Sequence, residues 1–358
     1  MRSFVPTKRK GKNNMKPLKN EIRDDCAEGF GLRSTDLTFL GGGREDSDGI
    51  VYTALKDGIK YVLKISQAAD EAHVESILKF ARYLGECGIR VSSPLKNARG
   101  NIYEAVRDGD TLYIATMTKY IQGQCPDTNA LVENSKLVYE WGKLTGRMHK
   151  AAKDYPVWKN CCEEDDRFGF EAEIDSFIEM APDEFIREQW SEMKERLRAL
   201  PINRDTYGFI HNDNHQMNII VDGEEIAVLD FDCSECHFFV NDILLPIQGL
   251  LFDVTGGMMS PISKPEILKD FYRHFLEGYR TENELDPFWI EQLGTFLSYR
   301  RLLLYTVLQG WLSNDRAAND AFLSMIKNPC ELDTTRDGVF GSNICPKWIH
   351  RGYTGGLG

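Results

Sequence analysis

Apolar and polar positions in the first third of the chain fall into short runs that predict strands. Leu37–Leu40, Ile50–Leu55 and Ile59–Ile65 are such runs. Gly41-Gly42-Gly43 and Gly49 lie between the first two, and Lys56-Asp57-Gly58 joins the second to the third. Asp-Gly between apolar runs is strong hairpin chemistry, because it tolerates the positive φ of a tight turn. Two further runs, Ile102–Val106 and Leu112–Tyr120, flank Asp108-Gly109-Asp110. Between the third and fourth strands the period becomes helical. Over 68–87, Val74, Ile77, Leu78, Ala81 and Leu84 form one stripe, and Cys87-Gly88 ends it.

Past Gly123 the helical period dominates and predicts helices over 133–152, 171–199, 265–281, 285–312 and 316–327. The exception is 206–232. There Phe209-Ile210, Ile219–Val221 and Ile226–Leu229 alternate with polar clusters, and Asp222-Gly223 supplies a turn. The expected fold class is therefore α+β in two lobes. Residues 21–121 form an N-lobe with a five-stranded antiparallel sheet and one helix. Residues 122–328 form a mainly helical C-lobe with an inserted β-hairpin. Residues 1–20 read as a basic flexible leader, with Met15 a candidate start. Residues 329–358, with six glycines and little periodicity, read as a loosely packed tail.

Composition narrows the class. The 358 residues are 42% apolar and 27% charged, which excludes a mainly disordered or collagen-like chain. The longest apolar stretch, Phe238–Phe252, is broken by Asn241, Asp242, Pro246 and Gln248, so no membrane span is expected. A net charge of −12 repels phosphate backbones, so no nucleic-acid partner is expected either. The seven Lys/Arg of residues 1–20 are the one feature that points the other way. That stretch lacks the apolar core of a secretory signal. Nine scattered cysteines fit the reduced thiols of a cytoplasmic protein. Cys233, Cys236 and His237 are spaced like half of a metal site but have no second ligand pair.

The chemistry concentrates in two elements. His211-Asn212-Asp213-Asn214-His215-Gln216-Met217-Asn218 has the form H-x-D-x-x-x-x-N, and Leu229-Asp230-Phe231-Asp232 follows, with Asp230 twelve residues beyond Asn218. Phosphoryl transfer needs one carboxylate to accept the acceptor's hydroxyl proton, and oxygen ligands to hold a hard divalent cation. Asp213, Asn218 and Asp230 supply that set. Upstream, Tyr61-Val62-Leu63-Lys64-Ile65 places one lysine in an apolar strand. An ammonium there needs a partner, and phosphates paired with a helix glutamate would provide one. Glu71 and Glu75 lie one turn apart on the following helix. Either could serve, and Glu75, further into the helix, is favoured. Gly42 and Gly43 would let backbone amides approach phosphates.

These stretches resemble the aminoglycoside phosphotransferase and choline kinase superfamily, which has a protein-kinase-like fold. Gly142–His149, Asn241-Asp242-Ile243 and Phe275–Arg280 extend the resemblance. It implies Asp213 as catalytic base, Asn218 and Asp230 as Mg²⁺ ligands and Lys64 as an ATP contact. It implies Met117, Lys119 and Tyr120 around the adenine at the hinge, and Asp242 as a buried brace of the catalytic loop. His215 stands where eukaryotic protein kinases carry lysine, and Asn212 replaces a common glycine. His211 is expected to orient the loop and His149 to be structural.

The implied activity is ATP- and Mg²⁺-dependent phosphorylation of a small, amine-bearing hydroxyl compound, such as an aminoglycoside, choline, or an amino-alcohol or homoserine-like molecule. Glu163–Asp166, Asp175, Asp232 and Glu235 would attract such a cation, although acidic runs also make ordinary solvated faces. Trp141, Trp158 and Trp190 are candidates for an aromatic cage. The alternatives are a Ser/Thr protein kinase of the same superfamily, opposed by the lack of an A-P-E element, and a non-catalytic nucleotide-binding pseudokinase, opposed by the intact polar set.

Overall fold

Turn chemistry sets out the N-terminal sheet. The computed structural model describes residues 18–42, 49–156, 163–164, 167–253 and 265–327. Most of the basic leader, the tail, Gly43, Trp158 and Asp165-Asp166 lie outside these residues. The strands are β1 (Leu37–Gly42), β2 (Gly49–Lys56), β3 (Ile59–Ala68), β4 (Glu104–Asp108) and β5 (Thr111–Lys119). They form one antiparallel sheet in the order β1-β2-β3-β5-β4. Asp57 and Gly58 both take positive φ, as a two-residue hairpin of right-handed twist requires. Gly109 does so at the β4–β5 turn.

Strand β4 begins two residues later than the apolar pattern predicts. The Asn97 side chain explains this. Its Oδ1 accepts from Arg99 N and Asn101 N, and its Nδ2 donates to Tyr103 O, so these residues are held in a turn.

Two helices accompany this sheet rather than the one expected, and only the first packs on the core beneath it. Helix α1 (Asn20–Gly29) is polar apart from Ile22, Cys26 and Ala27. Those three are buried with Phe30, Leu32, Leu63, Ile65, Ala115 and Met117. So few apolar positions give no readable stripe. Helix α2 (Glu71–Glu86) starts at Asp70, whose side chain accepts from Ala72 N and His73 N. Its Ile77, Phe80, Ala81 and Leu84 join the larger core of the helical half, not the core beneath the sheet.

The helical half begins with α3 (Thr128–Glu133) and α4 (Ser135–Lys153). A short ribbon follows, β6 (Glu163–Glu164) and β7 (Arg167–Phe168). The helix expected over 171–199 is two, α5 (Gly169–Met180) and α6 (Glu184–Arg198). Pro182 parts them, and Asp183 caps the second through Ile186 N. Next come β8 (Tyr207–Ile210), the hairpin β9 (Ile219–Asp222) and β10 (Glu225–Val228), and β11 (Glu235–Phe238), which pairs with β8. The apolar stretch Phe239–Asp253 is helix α7, buried along its first half. The remaining helices are α8 (Pro265–Arg280), α9 (Pro287–Glu291), α10 (Leu293–Val307), α11 (Gln309–Leu312) and α12 (Arg316–Lys327). Among the described residues no helix is long and apolar enough to cross a membrane.

The β9–β10 hairpin is sutured on both edges. Val228 N donates to Arg90 O and Val228 O accepts from Ser92 N, while Gln124 and Val221 exchange both backbone bonds. The hairpin is thus pinned between the two segments that connect sheet and helices.

Helices α4 and α8 approach backbone to backbone. A Cβ on Gly142 would overlap the Phe275 carbonyl, and one on Gly278 would overlap that of Tyr139. Gly142→Ala and Gly278→Ala are each expected to destabilise the chain by about 1–3 kcal/mol through overpacking, read as a lower denaturation midpoint. Gly294→Ala, where a Cβ meets open space, should leave the midpoint unchanged or raise it.

Candidate active site

The site is built around Asp242, in the first turn of α7 and fully buried. Its Oδ2 accepts from His211 N at 3.0 Å and its Oδ1 from Asn212 N at 2.8 Å. His149 Nε2 lies 3.2 Å from Oδ2, and Tyr279 OH lies 2.9 Å from His149 Nδ1. Tyr279 OH also accepts from Asn283 Nδ2, so it donates to His149 Nδ1, and the imidazole gives its Nε2–H to Asp242. Burial pushes the Asp242 carboxyl upward, but the hydrogen bonds from the His149 side chain and the His211 backbone reverse this and hold it below its ordinary value.

That carboxylate fixes the strained start of the 211–218 loop. Asn212 has φ 61°, a left-handed conformation for which asparagine is the usual substitute for glycine. Its amide is held at both ends, by Glu235 Oε1 and Asn241 Nδ2. His211 Nδ1 accepts from Asp213 N, so its Nε2–H donates to Leu229 O at 2.8 Å. Asn214 is tied to α4. Its Oδ1 accepts from Trp141 Nε1 and its Nδ2 donates to Thr145 Oγ1.

Asp213 itself is part-exposed. Asn218 Nδ2 donates to Asp213 O at 2.8 Å and to Asp213 Oδ2 at 2.9 Å. This leaves the Asn218 amide oxygen as the end to face a cation. His215 Nδ1 accepts from Met217 N, and its Nε2 lies 3.3 Å from Asp213 Oδ2. Leu229 N donates to Asn218 O at 2.8 Å, which brings Asp230 beside the loop. Asp230 has φ 59° and precedes a 3₁₀ turn at Phe231–Cys233. Phe231 points into the core against His211 and Phe80, while Asp230 and Asp232 point into the cleft.

Lys64, from β3, reaches across that cleft. Its Nζ lies 2.8 Å from Asp230 Oδ1 and 2.7 Å from Asp232 Oδ2. Burial alone would favour the neutral amine, but Asp232 and Asp230 outweigh it and raise the pKa above its ordinary value. Burial also acts against the Asp230 charge, and Lys64 more than offsets that, so the carboxyl lies below its ordinary value.

The pairing of Lys64 with Glu75 is not what the structure holds. Glu75 lies 2.9 Å from Lys79, and Glu71 accepts from Tyr103 OH and lies 3.5 Å from Arg107. The helix phase explains this, since at 100° per residue Glu75 falls roughly 170° from the centre of the buried face of α2. The apolar stripe carries that signal in the sequence. Depth along the helix does not.

Other expected positions are placed as follows. Gly42 has φ 81°, and a Cβ there would overlap the Gly49 carbonyl, so the ends of the glycine turn are in close contact. Met117 is buried in the core beneath the sheet, and its carbonyl accepts from Leu95 N. Lys119 pairs with Tyr61 at the end of β5. Tyr120 N donates to Lys60 O, and Lys60 Nζ sits 3.9 Å over the Tyr120 ring. Trp141 and Trp190 are fully buried with their indole N–H groups bonded to Asn214 and Thr306, so neither can cage a ligand.

Residues 36–279 match the profile of the phosphotransferase enzyme family. This chain belongs to that family. It is 31% identical over 294 residues to the amicoumacin kinase of Bacillus subtilis (strain 168), covering 80% of this chain and 84% of the relative. An amicoumacin kinase solved in complex with AMP-PNP, Ca²⁺ and Ami superposes with a TM-score of 0.74 at 27% identity, covering 87% of this chain and 93% of that one. A microcompartment-associated aminopropanol kinase, at 16% identity and TM-score 0.59, shares the fold over 90% of this chain and 99% of that one. The chain is a small-molecule phosphotransferase, a kinase with the protein-kinase-like fold.

This phosphotransferase carries a buried acid pair behind the 211–218 loop that sequence reasoning does not identify. Glu235 holds Asn212, and Glu173 accepts from Tyr299 OH. Burial pushes both carboxyls up, Glu235 further because Glu173 repels its charge. The fold therefore keeps a proton that the unfolded chain releases above about pH 4.3. Stability from this pair is present below that pH and is lost as pH rises through the raised folded value. Glu235→Gln keeps an acceptor for Asn212 without the charge. Its melting temperature relative to the unaltered chain is expected to improve steadily from pH 5 to pH 8. A difference independent of pH would show that Glu235 ionises normally.

Proposed function

We propose that this kinase transfers the γ-phosphate of ATP, with Mg²⁺, to a hydroxyl of a small amine-bearing molecule, with amicoumacin the first acceptor to test. The carrying observation is the convergence of Asp213, Asn218 and Asp230 in one braced loop cluster, with Lys64 at its edge. The 31% identity to an amicoumacin kinase supports the choice of acceptor.

In this reading Asp213 is the base. Asn218 fixes one of its carboxylate oxygens, which leaves the other for the acceptor hydroxyl. Asp230 and the Asn218 amide oxygen would hold the metal. The donors are all oxygen, as a hard cation prefers. Among the described residues no three His, Cys, Asp or Glu side chains form a complete cage. Mg²⁺ is commonly held by one or two carboxylates and the substrate phosphates. When bound, Mg²⁺ supplies charge neutralisation at the phosphates. Lys64 would contact the α/β-phosphates, the ends of the glycine turn at Gly42 and Gly49 would lie over them, and Lys119 and Tyr120 would border the adenine.

The test is Mg²⁺-dependent ATP turnover with amicoumacin, then with aminoglycosides, choline and amino alcohols, with the product identified by its added phosphate. Asp213→Asn is expected to lower kcat by ~10²–10⁴-fold with an unchanged melting temperature. Phosphate appearing on protein, or full activity in Asp213→Asn, would contradict the proposal.

A further inference from the structure

Kinase-like sites pair the strand lysine with a helix glutamate. In this chain the face of α2 that turns inward offers no carboxylate. Ile77, Phe80, Ala81 and Leu84 fill it, and His73 stands in phase with them at its N-terminal end. Burial pushes the His73 imidazole down to about 4, so it brings no charge at neutral pH. Phe80 packs on Phe209 at 4.9 Å and on Phe231 at 6.5 Å, which keys this face into the C-terminal half. Turning Glu75 toward Lys64 would require α2 to rotate by about half a turn and expose that apolar stripe.

Lys64 meets two aspartates instead, and they are not equivalent. Asp230 follows the backbone bond from Leu229 N to Asn218 O, beside the amide that faces the cation position. Asp232, in the middle of the 3₁₀ turn and two residues further from that bond, lies 2.7 Å from Lys64 Nζ through its Oδ2. Resting on the functional reading above, we infer that Asp232 is the positioning residue for Lys64, in place of any glutamate on α2. Asp230 leaves the ammonium to serve the cation. Asp232 stays and holds the amine on the side from which it reaches the phosphates. The lysine's counter-charge therefore comes from the C-terminal half, and the ion pair joins the two halves across the cleft.

Two measurements test this. The first needs no nucleotide. In metal-free protein, Lys64→Met and Asp232→Asn should lower the melting temperature non-additively, the double variant losing no more than the worse single one. Lys64→Met with Glu75→Gln, and with Glu71→Gln, should be additive. The second is steady-state turnover at saturating Mg²⁺. Asp232→Asn should lower kcat by roughly ten- to a hundredfold, the range for losing one charged hydrogen bond. Asp232→Glu should recover part of that, and the two α2 variants should stay within about twofold. Additive melting losses for Lys64 and Asp232, or a kcat loss in Glu75→Gln or Glu71→Gln as large as in Asp232→Asn, would overturn the inference. Full recovery of Asp232→Asn by raised Mg²⁺ would also overturn it, because it would make Asp232 a metal ligand. Absence of ATP turnover in the unaltered chain would remove the functional reading itself, and the melting cycle would then report only on the pair.

Discussion

One buried carboxylate organises the site. Asp242 stands at the start of an apolar helix with no solvent, and it remains charged because His149 and two backbone N–H groups pair with it. Those two N–H groups belong to His211 and Asn212, so the same bonds that satisfy the buried charge set the backbone just ahead of Asp213. Left unpaired, such a charge would be strongly destabilising, and the loop is therefore held as firmly as the core. The chain His149–Tyr279–Asn283 extends this control to α4 and α8, whose backbones meet at glycines.

The second organising interaction crosses the cleft. Lys64 comes from the sheet, and Asp230 and Asp232 from the turn after the β9–β10 hairpin. The D-F-D spacing makes this possible, because the middle residue is drawn into the core and leaves the outer two facing the lysine. The hairpin that precedes it cannot drift, since backbone bonds to Arg90, Ser92 and Gln124 hold both its edges. A hairpin held along both edges, with one adaptable ion pair across the cleft, suits a cleft that must admit a nucleotide.

Much of this was legible in the sequence, for physical reasons. Asp57-Gly58, Gly109 and Asp222-Gly223 demand particular turns, and strands between such turns have little freedom in pairing. The convergence of Asp213, Asn218 and Asp230 follows from a short hairpin returning on itself. What was not legible depends on tertiary context. Helix α1 shows only Ile22, Cys26 and Ala27 to the core, too few for a stripe. Pro182 was hidden inside a helical period. Depth along α2 points to Glu75 as the partner of Lys64, whereas the helix phase turns Glu75 away from the core, beside Lys79. The tryptophans looked available as a cage, yet Trp141 and Trp190 are core residues with bonded indoles. The acid pair Glu173 and Glu235 is far apart in sequence and could be paired only by the fold.

In the proposed reaction three oxygens, from Asp213, Asn218 and Asp230, surround the point where a phosphoryl group changes hands. The most direct measurement is a crystal structure grown with AMP-PNP and Mn²⁺, in which anomalous scattering locates the ion. The expected result is an ion bonded to Asp230 and to the Asn218 amide oxygen, with the Asp213 carboxylate facing the γ-phosphate. An ion held by other residues, or an Asp213 carboxylate turned away from the nucleotide, would contradict it.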